Sequence, residues 1–144
     1  MNQSNRELVA YCGLYCGDCF SHKGRVADLA RDLRKELRQA KFDRIVEGIP
    51  FKEFKNYQEC YQVLGALLRL RCKNACQGGG GNPFCKIRKC CHKKAIEGCW
   101  QCDEFEACEK LDSLKPSHRD AHLKNLRRIK KVGVDEWVKG KRLW

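Results

Sequence analysis

The chain has 144 residues, a length at which one domain can bury about two-thirds of its unfolded surface, so metal is not needed merely to make up for small size. Twelve cysteines, about 8% of the residues, reach the level at which a cross-linked or metal-held scaffold is expected. The formal charge of +12 invites a nucleic-acid reading, but four thiolates around a divalent ion or an oxidised cubane sum to about −2, so two such sites lower the charge to about +8 and three to about +6.

Residues 1–22 hold the first cysteine box, Cys12-x3-Cys16-x2-Cys19, in turns that Gly13 and Gly17 permit. Residues 25–41 read as an amphipathic helix, with Val26, Leu29, Ala30, Leu33, Leu37 and Ala40 at helical spacing. Gly48-Ile49-Pro50 breaks that pattern. A second helix is expected from about Phe51 to Leu70. Its two apolar stripes predict a central position, with Cys60 as core filler rather than ligand. The segment QGGGGNP, residues 77–83, lacks the Lys-Ser/Thr ending of a phosphate loop and reads as a flexible link between cysteine pairs. Residues 86–97 and 103–111 read as short helices carrying cysteines at their ends. The tail from Pro116 is helical in pattern, breaks at Gly133, and is expected to dock at least as far as Trp137. No run alternates with period two, so strands are expected to be few or absent. The fold class is therefore mainly α, a single cysteine-rich domain over 1–144 with metal-binding loops between helices and a basic tail, 116–144, docked on it.

Three explanations compete for the thiols: disulfides, metal, and scattered structural or catalytic cysteines. Disulfides belong to oxidising compartments. The start, MNQSNRELVAYCGLYC, has no apolar signal region, and the longest strongly apolar stretch, around Val63–Leu68, is far too short to span a bilayer. A cytoplasmic, non-membrane protein with reduced thiols is the expectation, and metal the leading explanation. The candidate ligands are Cys12, Cys16, Cys19, Cys72, Cys76, Cys85, Cys90, Cys99, Cys102 and Cys108. The triads Cys12/Cys16/Cys19 and Cys99/Cys102/Cys108 suit iron–sulfur clusters held by a local triad plus one remote thiolate. The pairs Cys72/Cys76 and Cys85/Cys90 have structural-zinc spacing and could close one tetrahedral site. The Cys12–Cys19 spacing is also that of radical S-adenosylmethionine enzymes, but the chain is too short for their barrel and shows no strand–helix alternation. A ferredoxin run is absent. His22, three residues after Cys19, is the best histidine for completing a site. His92 reads as solvated, and His118 and His122 as surface residues. Trp100, inside Cys-Trp-Gln-Cys, reads as a shield for a site. The adjacent thiols Cys90-Cys91 raise a nucleophile reading that lacks a facing base. Lys124, Arg127, Arg128, Lys130 and Lys131 could track phosphates, but no nucleic-acid signature accompanies them.

The segments Tyr11-Cys-Gly-Leu-Tyr-Cys-Gly-Asp-Cys19, Cys85-Lys-Ile-Arg-Lys-Cys90, Cys99-Trp-Gln-Cys-Asp-Glu-Phe-Glu-Ala-Cys108-Glu-Lys-Leu111 and Leu123–Trp137 together resemble the domain of unknown function 3795 family of bacteria and archaea. The likeness runs from about Leu8 to Trp137. It implies a small, cysteine-rich, metal-binding cytoplasmic protein, frequent in anaerobes, and carries no assigned activity. The chain departs from that pattern in three places: Cys72-x3-Cys76 replaces a C-x2-C box, Ala107 replaces a proline before Cys108, and a further cysteine pair that follows an Arg-Trp step in many relatives is not present before the chain stops at Leu143-Trp144.

These observations favour two iron–sulfur (4Fe-4S) clusters serving electron transfer or redox sensing with a protein partner, and no enzyme activity by the chain alone. The alternative is a structural zinc module that binds protein or nucleic acid. An enzyme with an open cluster near Cys12–Cys19 is the third reading.

Overall fold

The computed structural model describes residues 3–144 and, among them, ten α-helices, six short 3-10 turns and no strand. The helices are α1 (Gln3–Glu7), α2 (Phe20–Lys23), α3 (Arg25–Gln39), α4 (Phe42–Ile45), α5 (Tyr57–Leu68), α6 (Lys86–Lys94), α7 (Glu109–Asp112), α8 (Lys115–His118), α9 (Ala121–Val132) and α10 (Val134–Lys139). A mainly α fold is thus what forms. Residues 103–111 are more broken than their pattern suggests: a 3-10 turn at Phe105–Ala107 precedes the single turn of α7. The expected helix from Phe51 begins as a 3-10 segment, Lys52–Asn56, before α5.

The core lies under the N-terminal loop and the tail. Val9 and Tyr15 form an isolated antiparallel bridge, which pinches residues 9–15 into a tight loop with Cys12 near its tip. Gly13 makes this possible: its φ is +83°, and a Cβ there would lie 2.7 Å from Leu126 Cγ. The tail packs over this loop. His122, Leu126 and Ile129 share one face of α9, spaced i, i+4, i+7, and all three are fully buried. Gly133, at φ +84°, turns the chain into α10, which drives Trp137 to 0% exposure against the edge of Tyr15. Docking continues past Trp137. The Asn125 amide donates to Leu143 O at 2.8 Å and accepts from Leu143 N at 3.1 Å, and the Arg142 guanidinium donates to Asp18 at 3.0 Å.

The expected central helix is peripheral. No residue of α5 is buried; Cys60 is exposed and Val63 is 58% exposed. The reason is that α5 spends one apolar stripe on α3, its main partner. An aromatic group of Phe42, Phe54 and Tyr57 covers the turn between the two helices, and the Arg34 guanidinium lies 4.4 Å over the Tyr61 ring. The two helices make an arm beside the core, so Cys60 fills nothing.

Trp137→Ala is expected to cost about 3–5 kcal/mol, the scale for emptying a large aromatic site in a packed core. Val63→Ser is expected to change stability by no more than about 0.5 kcal/mol. Urea unfolding of the two variants checks both, and equal losses would contradict the division into core and arm.

Candidate metal centre

Six of the ten candidate ligands line one cavity of about 410 Å³: Cys12, Cys16, Cys19, Cys72, Cys76 and Cys85. Backbone hydrogen bonds explain the convergence. Cys16 N donates to Leu8 O at 2.7 Å, which closes the pinched loop, and a 3-10 turn at Cys16–Asp18 delivers Cys19 to the start of α2. Cys72 N donates to Ser21 O at 3.0 Å, bringing the remote pair beside the first box. Cys76 N donates to the Cys16 sulfur at 3.3 Å. Cys85 sits at the N-cap of α6.

The other four, Cys90, Cys99, Cys102 and Cys108, line a second cavity of about 510 Å³, joined by Cys91. Cys99 N donates to Tyr11 O at 2.8 Å, which ties the second triad to the first loop. Cys91 is fully buried, with its sulfur 3.8 Å from that of Cys99. Sequence reasoning left it out of the ligand set; its signal was the helical periodicity that puts it on the buried face of α6 with Ile87, four residues earlier. The zinc pairing of Cys72/Cys76 with Cys85/Cys90 does not form, because Cys85 and Cys90 belong to different cavities. Five residues along a helix amount to a turn of roughly 140° beyond a full circle and a rise of roughly 7.5 Å, so the two thiols face apart.

The glycine run is a cavity wall rather than a loose link. Gly80, Gly81 and Asn82 line the first cavity. Arg88, buried on α6, donates to Gly80 O at 2.6 Å, Asn82 O at 2.9 Å and Cys76 O at 3.4 Å. A Cβ at Gly80 would lie 1.7 Å from Asn74 O, so only glycine fits the fold-back. Gln77 crosses behind it, donating to Val9 O at 3.1 Å and Glu97 O at 3.0 Å.

Burial and neighbouring sulfurs govern the electrostatics. Burial pushes the Cys12 thiol up to about 12 and the Cys16 thiol up to about 11, and raises Cys76. In the second cavity the contact with Cys99 lowers Cys91, while Cys99 itself is raised. Lys94 donates to the Cys102 sulfur at 3.3 Å and to Glu104 at 3.1 Å, and these two hydrogen bonds raise its pKa. Thiols held protonated in this way ionise when a cation replaces the proton, which is how metal binding couples to proton release. Among the described residues, no three side chains of histidine, cysteine, aspartate or glutamate close on one point as a single ion requires. The sulfurs instead ring their cavities.

Two expectations about side chains change. His118 and His122 are not surface residues: His122 is 0% exposed, and His118 lines the first cavity, held edge-on by the Trp144 ring at 4.8 Å. The chain breaks between them, with His118 ending α8, Arg119 at φ +52°, and His122 on the docking face of α9. His22 also lines the first cavity, whereas the His92 ring is exposed and bonded to the Tyr11 hydroxyl at 2.9 Å. The basic face of α9 is not an open phosphate track. Arg127 grips Glu106 through two bonds of 2.7 and 2.6 Å, Lys130 reaches Asp103 at 2.9 Å, and Lys124 pairs with Asp120 at 3.1 Å. Two of these pairs strap the tail to the loop between Cys102 and Cys108. Trp100, buried and next to Cys99, joins the hydrophobic core and lines neither thiol cavity.

The fold and its two cavities define a helical, cysteine-rich domain organised around two groups of converging thiols. The family described as protein of unknown function (DUF3795) matches residues 8–113; the chain belongs to that family, the domain of unknown function 3795. No curated protein and no solved structure matches. No helix among the described residues is long and apolar enough to cross a membrane.

Gly80→Ala is expected to disorder the wall of the first cavity, seen as loss of amide hydrogen-exchange protection over residues 76–82 with residues 99–108 unchanged. In metal-free, reduced protein near pH 8, Cys60 is expected to be alkylated first. Cys12, pushed up to about 12, carries about a thousandfold less thiolate than an ordinary thiol and reacts correspondingly later. Peptide mapping by mass spectrometry gives the order, and early labelling of Cys12 would contradict the burial argument.

Proposed function

We propose that the protein carries two iron–sulfur clusters, one in each cavity, and exchanges electrons or reports redox state through a protein partner. The observation that carries this reading is the sorting of eleven cysteines into two rings, each a local triad joined by remote thiols. Residues 12, 16, 19, 72, 76 and 85 offer more thiols than the four ligands a first cluster takes; residues 90, 99, 102 and 108, with Cys91 in reserve, would hold the second. Thiolate is the ligand class such clusters take, and hydrogen bonds to the sulfurs set their potentials. The Lys94 contact to Cys102 is such a bond. Bound clusters would supply one-electron chemistry; the chain supplies ligands, burial and charge.

A second reading has its own support. Two thiolates on one tetrahedral zinc, with bonds of about 2.3 Å, lie about 3.8 Å apart, and Cys91 and Cys99 stand at 3.8 Å. Structural zinc in the second cavity is therefore the alternative there, with the domain acting as a binding module. The ion pairs across the basic face of α9 favour a protein over a nucleic-acid partner.

Protein purified without oxygen is expected to be brown, with iron and acid-labile sulfide near equal amounts and absorption near roughly 400 nm that bleaches on reduction. Colourless protein with stoichiometric zinc would remove the cluster reading.

A further inference from the structure

The first cavity contains more than thiols. His22 and His118 both line it, reaching it from opposite parts of the sequence. The Nδ1 atom of each is buried and has no hydrogen-bond partner among the described residues. A buried ring nitrogen without a partner is uncommon in a folded protein, because its desolvation is uncompensated. Both rings also line the cavity that six cysteines line.

Both rings are placed by other interactions. His22 lies on α2, the one-turn helix that Cys19 precedes, and the neighbouring Ser21 carbonyl accepts the hydrogen bond from Cys72 N. His22 is therefore flanked by two of the thiols. His118 ends α8 and is pinned by the edge of Trp144, at 4.8 Å between ring centres. The tail that brings it is fixed on both sides, by the Asn125 bonds to Leu143 and by Arg142 on Asp18. His92, by contrast, has a hydroxyl partner and stands away from this cavity.

We propose that His22 and His118 bind the inorganic centre of the first cavity through nitrogen–metal bonds, making that centre a mixed sulfur–nitrogen one while the second is bound by sulfur alone. Imidazole suits iron and zinc alike. A neutral nitrogen in place of a thiolate lowers the negative charge of the site, and in clusters histidine ligation raises the reduction potential. The two centres would then differ in potential by design of their ligands, the first being the easier to reduce. The inference rests on metal occupying the first cavity, and it identifies the donors there.

The test uses the full chain, prepared without oxygen, with pulsed electron paramagnetic resonance of the reduced protein. Parent protein is expected to show nitrogen-14 coupling of the strength of a directly bound imidazole, alongside a second signal without it. The coupling is expected to diminish in His22→Cys and in His118→Cys and to vanish in the double variant, with iron content retained because cysteine replaces one ligand by another. Absence of strong nitrogen coupling in the parent, or its persistence in the double variant, overturns the proposal. If the purified metal is zinc, cobalt(II) is the probe. The same cysteine variants are then expected to shift the cobalt ligand-field bands to longer wavelength, toward an all-thiolate pattern, and unchanged bands overturn the proposal. A parent protein that takes up neither iron nor cobalt defeats the metal reading as a whole, which separates that failure from failure of the histidine assignment alone.

Discussion

One nine-residue helix, α6, must serve two cavities at once, and the rest of the core is arranged so that it can. Its N-cap, Cys85, and its buried Arg88 belong to the first cavity; Cys90, Cys91 and Lys94 belong to the second; Ile87 enters the apolar core between them. Helical geometry enforces the split, since side chains five apart cannot share a face. The same geometry makes the two sites neighbours. They are joined by a stiff element rather than a linker, with Cys85 and Cys90 separated by a rise of roughly 7.5 Å along it.

Arg88 is the hinge of this arrangement. A guanidinium cannot lose its charge, and a buried one needs acceptors for its donors. The glycine run provides them: three carbonyls converge on Arg88 because residues 78–81 have no side chains to prevent the fold-back. The wall of the first cavity is therefore held from the helix that also forms its floor. Gln77 extends the same logic with one amide group donating to two strands of loop. These contacts matter more than their individual energies suggest, because short loops around a cavity have little apolar surface with which to hold themselves.

Much of this was legible in the sequence, and the parts that were not share a cause. Local spacing shows each triad, the helices over 25–39 and 121–132, and the break at Gly133, because these depend on neighbours within a turn or two. The remote assignments do not. The helix read over 86–97 already implies that Cys85 and Cys90 face apart and that Cys91 shares a face with Ile87, but which face is buried is decided only by the packing of α6. The glycine run was read as loose because glycine permits both looseness and tight fold-back, and only Arg88, buried on the adjacent helix, selects the second. The misplacement of Cys60 has the same origin: a helix with two apolar stripes is central if two partners exist, and α5 has mainly one. His118 and His122 have a spacing that suits one helical surface, yet the chain breaks at Arg119, leaving His118 at the end of α8, and Leu126 and Ile129 continue the stripe of His122 into the core.

The charge of the chain takes on a different sense once its cations are located. Arg6 pairs with Glu97 and Asp135, Arg127 with Glu106, Lys130 with Asp103, and Arg142 with Asp18. Such exposed pairs add little stability one by one. Their placement is informative, because each ties the ends of the chain to a cysteine-bearing loop or to the segment beside it. Lys94 and Arg88 stand still closer, one on a cavity sulfur and the other behind a cavity wall. Ionised thiolates around metal would leave each cavity with net negative charge, and a positive framework lowers the cost of gathering that charge in a small volume. Of these cations, Lys94 alone donates to a cavity sulfur.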